Sequence, residues 1–173
     1  TITGGAGVDK ITGAVGIDVL DGAAGDDIFS YASSAEFAAS NAVIDTVTGG
    51  GGNDTIQVTG AITIAATNTM ARVNTVETLA AATQSGSNLT HSIVIDADAE
   101  LGSITKINLS GDTGTTSSGN IVLTSITNGV NTVLTGVNGS SSTNTLIGGA
   151  GADTITGGAG VDKITGAVGI DVL

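Results

Sequence analysis

Acidic side chains recur at a fixed step in this sequence. Counting by nine from Gly4, the sixth position of each frame is Asp9, Asp18, Asp27, Glu36, Asp45 and Asp54. The eighth is Ile11, Leu20, Phe29, Ala38, Val47 and Ile56. Six acids in six frames stand out in a chain with only 16 Asp and Glu among 173 residues. Glycine keeps the same beat. Residues 4–12 (GGAGVDKIT), 49–57 (GGGGNDTIQ), 148–156 (GGAGADTIT) and 157–165 (GGAGVDKIT) fit G-G-x-G-x-D-x-U-x, where U is a large apolar residue. Weaker copies occupy 13–21, 22–30 and 166–173.

An acid at every ninth residue, set among carbonyl-rich turns, offers oxygen ligands and little else. Such a cage suits a hard cation of adaptable geometry, and calcium takes six to eight oxygens. Zinc prefers nitrogen and sulfur, and the chain has one His and no Cys. Magnesium resists dehydration and demands a strict octahedron. The expected calcium ligands are Asp9, Asp18, Asp27, Asp54, Asp153, Asp162 and Asp171. The turn glycines that go with them are Gly4, Gly5, Gly7, Gly13, Gly16, Gly22, Gly25, Gly49, Gly50, Gly52, Gly148, Gly149, Gly151, Gly157, Gly158, Gly160, Gly166 and Gly169.

Positioning these groups requires a coil. The first six residues of each copy turn sharply, and glycine enters the left-handed region without a Cβ penalty. The last three, such as Lys10-Ile11-Thr12, form a minimal strand with Ile11 inward. Two copies close one coil of 18 residues, and like turns stack one strand spacing apart, ~4.8 Å. Asp9 should then share a site with Asp27, and Asp153 with Asp171. Asp18 should pair with a copy preceding Thr1. Asp162 should pair with one following Leu173, or weakly with Asn144.

Composition narrows the classes. Four Lys and Arg against 16 acids give a net charge of -12, which argues against a nucleic-acid partner. About six divalent ions would neutralise that self-repelling charge. Glycine (28) and threonine (27) dominate, aromatics are 2% and proline is absent. No apolar run reaches the roughly 18 residues of a membrane helix, so no membrane insertion is expected. One His, one Arg and no Cys leave little catalytic equipment, and no enzyme is expected.

These nonapeptides resemble the RTX, or hemolysin-type, calcium-binding repeats of bacteria. The stretch 27–36 (DIFSYASSAE), followed by Asp45-Thr46-Val47, resembles the segment that often ends such a roll. The resemblance implies a parallel β-roll, type I secretion and folding outside the cell on meeting calcium. It would make 31–44 an irregular loop, whereas the nine-residue frame makes 31–48 decayed repeats. No toxin or protease motif accompanies the repeats.

Residues 1–20 and 154–173 are identical, which defines a 153-residue tandem period. The expected organisation is an all-β chain: a calcium-binding parallel β-roll at 1–57, a Thr-rich β module at 58–138, and a roll again at 139–173. The middle module would be a β-sandwich or an irregular β-helix. Strands are expected at 56–59, 62–64, 91–96, 104–109 and 121–126. Residues 70–83 could form a helix with Met70, Val73, Val76 and Leu79 on one face, but a strand at 76–79 is preferred. His91 is expected at the surface or lightly packed, and Glu77, Asp96, Asp98, Glu100 and Asp112 as solvated or rim acids, with an accessory calcium site at Asp96 and Asp98 as a further candidate.

The expected role is a secreted structural repeat of a bacterial surface layer or extracellular filament. The alternatives are the calcium-stiffened stalk of a giant adhesin and the secretion module of a toxin or enzyme. The expected partner is self, as tandem copies or a homopolymer, with cell-surface polysaccharide as another candidate.

Overall fold

In the computed structural model the described residues are 1–38, 44–95, 103–124, 126 and 130–173. Among the described residues, short β-branched segments between turns build sixteen strands. The first four are β1 (Ile2–Ala6), β2 (Lys10–Ile11), β3 (Val19–Ala24) and β4 (Ile28–Tyr31). A 3₁₀ turn at Ser34–Glu36 precedes β5 (Thr46–Thr48) and β6 (Thr55–Val58). The middle supplies β7 (Thr63–Ile64), β8 (Val73–Asn74), β9 (Thr78–Ala81), β10 (Thr90–Val94), β11 (Lys106–Asn108), β12 (Ser118–Val122) and β13 (Val133–Thr135). The last are β14 (Thr143–Ile147), β15 (Thr154–Thr156) and β16 (Val161–Thr165).

All strand pairs among the described residues are parallel, and the chain winds as a β-solenoid. One wall is a seven-stranded sheet in the order β2-β4-β6-β9-β11-β13-β15. The facing strands form two sheets, β1-β3-β5-β8 and β7-β10-β12-β14-β16. Down the seven-stranded wall Ile11, Phe29, Ile56, Leu79, Ile107, Leu134 and Ile155 lie in register, each buried. They belong to a single hydrophobic cluster.

The described residues of 58–138 therefore adopt the irregular β-helix and not the sandwich: they continue the walls of the flanking coils. What changes is coil width. Eighteen residues separate Ile11 from Phe29, but 27 separate Phe29 from Ile56, which is three nonapeptides. The additional unit carries the 3₁₀ turn, whose Ser33 and Glu36 form a reciprocal capping box, and it buries Phe37 and Ala38. The nine-residue phase thus survives from Asp27 to Asp54 while the coil gains an edge. Residues 39–43 of this stretch lie outside the described residues.

No helix forms at 70–83. Met70, Val73, Val76 and Leu79 are all buried, but through β8, β9 and their connecting turn. Their backbone groups pair across coils, as where the Val47 amide donates to the Arg72 carbonyl and the Ala82 amide to the Val58 carbonyl.

The two identical 20-residue strings occupy different walls. In the first, Ile2 lies in the sheet begun by β1 and Ile11 in the seven-stranded sheet. In the second, Ile155 lies in the seven-stranded sheet and Ile164 opposite, in β16.

Continuity of the core across 58–138 makes Leu79 as structural as Phe29. Leu79→Ala should cost about 2–5 kcal/mol in denaturant unfolding with calcium present. A loss near zero would detach the middle from the common core.

Candidate metal sites along an acidic column

Two residues ahead of each core side chain of the seven-stranded wall, the chain enters its strand from a turn. There the side chains of Asp27, Asp54, Glu77 and Asp153 each face the backbone of the coil before them. The Asp9 amide donates to Asp27 Oδ1 (2.8 Å), the Asp27 amide to Asp54 Oδ1 (2.8 Å) and the Asp54 amide to Glu77 Oε2 (2.8 Å). Further along, the Thr132 amide donates to Asp153 Oδ1 (2.7 Å) and the Asp153 amide to Asp171 Oδ1 (3.0 Å). The expected couples Asp9–Asp27 and Asp153–Asp171 are thus brought together. Asn144 Nδ2 meets Asp162 Oδ1 at 2.6 Å, as the weaker alternative for Asp162 required.

Asp18 differs from expectation: its amide donates to Asp45 Oδ1 (2.8 Å), 27 residues on, because the widened coil brings that frame beside it. The other Asp45 oxygen accepts from the Tyr31 hydroxyl (3.1 Å). Burial, followed by the neighbouring Asp45 charge, holds the Tyr31 hydroxyl protonated far above its ordinary range. Phe29 and Tyr31 are buried as expected of roll core and roll end, and Tyr31 packs on Phe37 at 5.0 Å between ring centres.

Glycine spacing explains where a cation would sit. A Cβ on Gly4 would strike the Gly22 carbonyl and Asp9 Oδ2; on Gly22, the Gly49 carbonyl and Asp27 Oδ2; on Gly148, the Gly166 carbonyl and Asp153 Oδ2. Gly13, Gly157 and Gly166 face Oδ2 of Asp18, Asp162 and Asp171 in the same manner. Each cradle thus holds a carboxylate oxygen, joined at Gly4, Gly22 and Gly148 by a carbonyl oxygen from the adjoining coil.

The remaining glycines serve stacking or turning. Gly25, at φ +129°, passes so close to the Gly7 carbonyl that no side chain fits. Gly50, Gly52, Gly151, Gly158, Gly160 and Gly169 meet carbonyls of the preceding coil likewise. Gly7 and Gly16 have open space around them and are required only for their positive φ. The amides of Gly5 and Gly149 donate to Asp9 Oδ2 (2.7 Å) and Asp153 Oδ2 (3.0 Å).

Two carboxylates stand apart. Asp27 and Asp54 are fully buried, and Oδ2 of each has no hydrogen-bond partner. An unpaired buried charge is costly, so such oxygens call for a proton or a cation. Burial is the leading influence on Asp54, raising its carboxyl above the ordinary 3.8 although the Asp27 amide opposes the change. Among the described residues no three His, Cys, Asp or Glu side chains converge. The donor set is instead one or two carboxylates with backbone carbonyls, all oxygen, which fits calcium.

Three further residues belong to this pattern. Glu77, expected as a solvated or rim acid, is half-buried and joins the column. His91, expected at the surface or lightly packed, is instead fully buried: the Ile62 amide donates to its Nδ1 (3.1 Å) and its Nε2 lies 3.1 Å from Asp112 Oδ2. Nδ1 accepts, so the neutral ring carries its proton on Nε2 and donates it to Asp112. Asp112, also expected as a solvated or rim acid, is instead buried and takes the Gly114 amide on Oδ1 (2.8 Å). The detectable signal was the offset, since His91 precedes the core residue Ile93 by the two residues that separate Asp27 from Phe29. Asp96, Asp98 and Glu100, with the accessory site considered there, lie outside the described residues. Lys10 and Lys163 are exposed.

A parallel β-solenoid whose stacked glycine turns carry an acid at the repeat position defines a class of calcium-binding coils. The RTX calcium-binding nonapeptide repeat model matches residues 1–33, 41–58 and 138–173 in four copies, and the chain belongs to that family. Calcium is the ion its nonapeptides bind. Neither the curated proteins nor the solved structures gave a match.

Two predictions follow from this geometry. Gly49→Ala should destabilise the folded chain by about 2 kcal/mol or more, while Gly51→Ala, with nothing near its Cβ, should stay within about 0.5 kcal/mol. Equal effects in denaturant unfolding would dismiss the cradle. Burial lowers the His91 pKa below 6.5, with Asp112 opposing. Below pH 6.5 the unfolded chain then binds more protons than the folded one. The stability associated with His91 is full above that pH and is lost as pH falls through the folded value. Unfolding of calcium-saturated protein should show this slope, and His91→Asn should flatten it; an unchanged slope would remove His91 as its source.

Proposed function

We propose that this chain is a secreted structural repeat that folds on extracellular calcium and forms part of a cell-surface layer or filament. The observation that carries it is the pair of buried carboxylates, Asp27 and Asp54, each with an unpartnered oxygen in a wall of oxygens. At a net charge of -12, closing the coils crowds like charges at each turn. Calcium supplies the positive charge that lets stacked turns approach, and binding is thereby linked to folding.

The acids proposed as ligands are Asp9, Asp18, Asp27, Asp54, Asp153, Asp162 and Asp171, with carbonyls of the glycine turns. Extracellular modules bind calcium at about 10⁻⁴ to 10⁻³ M, a level met outside the cell. The family's members are typically secreted by type I secretion, and the repeat solenoid is a structural type. No helix among the described residues is long and apolar enough to cross a membrane.

The structural role draws on the tandem identity of 1–20 and 154–173. A solenoid whose units contact only their neighbours suits a task in which every unit does the same work. Its first partner on this reading is another copy of itself, and cell-surface polysaccharide is the second.

Circular dichroism and size-exclusion chromatography of chelator-treated protein test the folding step. Calcium at sub-millimolar to millimolar levels should give a cooperative gain of β signal and compaction, and magnesium should not. A chain fully folded in chelator and indifferent to calcium would overturn it. Ordered polymers in electron micrographs of the calcium sample support the layer or filament; extended single particles would favour an adhesin stalk instead.

A further inference from the structure

Resting on the calcium reading above, we infer that Thr75 and Glu77 complete a calcium site with Asp54, one coil beyond the nonapeptides. This segment lies outside the residues matched by the repeat family and carries no glycine.

The argument begins with the turn of 49–54. A Cβ placed on Gly49 would strike Asp54 Oδ2 and the Thr75 carbonyl at once. At Gly4, Gly22 and Gly148 the same pair of collisions arises, each time with an Asp Oδ2 and the carbonyl of a glycine from the adjoining coil. Thr75 therefore occupies the place of a first glycine of the repeat. Its backbone differs from that of those glycines, for Thr75 has φ +48°, a left-handed conformation unusual for a β-branched residue, whereas in the repeats positive φ falls on the next position, as at Ala23 and Gly50, and not on the first glycine. Two contacts hold it there: the Gly49 amide donates to the Asn74 carbonyl (2.9 Å), and the Gly50 amide donates to Thr75 Oγ1 (2.8 Å).

Glu77 supplies the acid. Its Oε2 accepts the Asp54 amide at 2.8 Å, as Asp54 Oδ1 accepts the Asp27 amide. Asp54 stands five positions after Gly49 but Glu77 only two after Thr75, and the longer glutamate reaches across the shortened turn. Asp54 points to a ligand independently, because it is fully buried and Oδ2 has no partner. One coil further the corresponding residue is Thr105, whose amide meets the Glu77 carbonyl (3.0 Å), so the run of acids that begins at Asp9 stops at Glu77 and resumes only at Asp153.

Isothermal titration with calcium alone, on the whole chain, reads the number of ions bound. Glu77→Gln should bind one ion fewer than the unaltered chain. The double variant Asp54→Asn, Glu77→Gln should lose no more ions than Asp54→Asn alone, since both side chains hold the same one. An unchanged count in Glu77→Gln, or an extra ion lost in the double variant, would overturn the site. Should Glu77→Gln not fold, Glu77→Asp keeps the charge but shortens the reach: one weakened site supports the assignment, and binding identical to the unaltered chain refutes it. If the unaltered chain takes up no calcium, the calcium reading itself fails, a result distinct from failure at Glu77 alone.

Discussion

Charge buried beside carbonyl oxygens governs this molecule. The coils of the repeats place a carboxylate where the amide of the preceding coil needs an acceptor, so one oxygen is used in joining the coils. The second oxygen at Asp27 and Asp54 is left among backbone carbonyls with no donor. The hydrogen bonds that stack the turns are the same ones that bring negative charge together. Hydrophobic burial alone, from a core nearly without aromatics, works against that repulsion, and an added cation changes its sign.

Much of this was legible because the repeat phase is a covalent quantity. The nine-residue step of Asp9, Asp27 and Asp54 fixed both the turn and the inward position of Ile11, Phe29 and Ile56. Less legible was the middle, where coil length varies: 23 residues separate Ile56 from Leu79 and 28 separate Leu79 from Ile107. A fixed frame loses register at the first change of length, although the local rule persists. That rule is a polar group two residues before a buried apolar one, and Glu77 before Leu79 and His91 before Ile93 both obey it. Their roles were missed because their surroundings are set by residues one coil away, which no window of neighbours contains.

His91 shows what the solenoid does where it lacks an acid at that offset. Its Nδ1 accepts the Ile62 amide, the task performed elsewhere by aspartate, while Asp112 takes the proton on the far side of the ring. Asn144 fills the corresponding position on the same wall near β14, accepting the Val137 amide (3.0 Å) and donating to Asp162. The offset is kept for stacking even when the group there carries no charge. Acid at these positions therefore reports the sites suited to metal, and the neutral substitutes report where stacking suffices.

The exchange of walls between the two identical strings has a geometric consequence. From Ile2 to Ile155 the chain advances six coils along the seven-stranded sheet, plus the half coil from β1 to β2. At ~4.8 Å per coil that is a rise of about 31 Å. A unit that ends half a coil out of step with its start sets the next copy of the same string on a different sheet: Ile2 lies in the sheet begun by β1, Ile155 in the seven-stranded sheet and Ile164 in the sheet that ends at β16. One sequence thereby meets different neighbours each time it recurs.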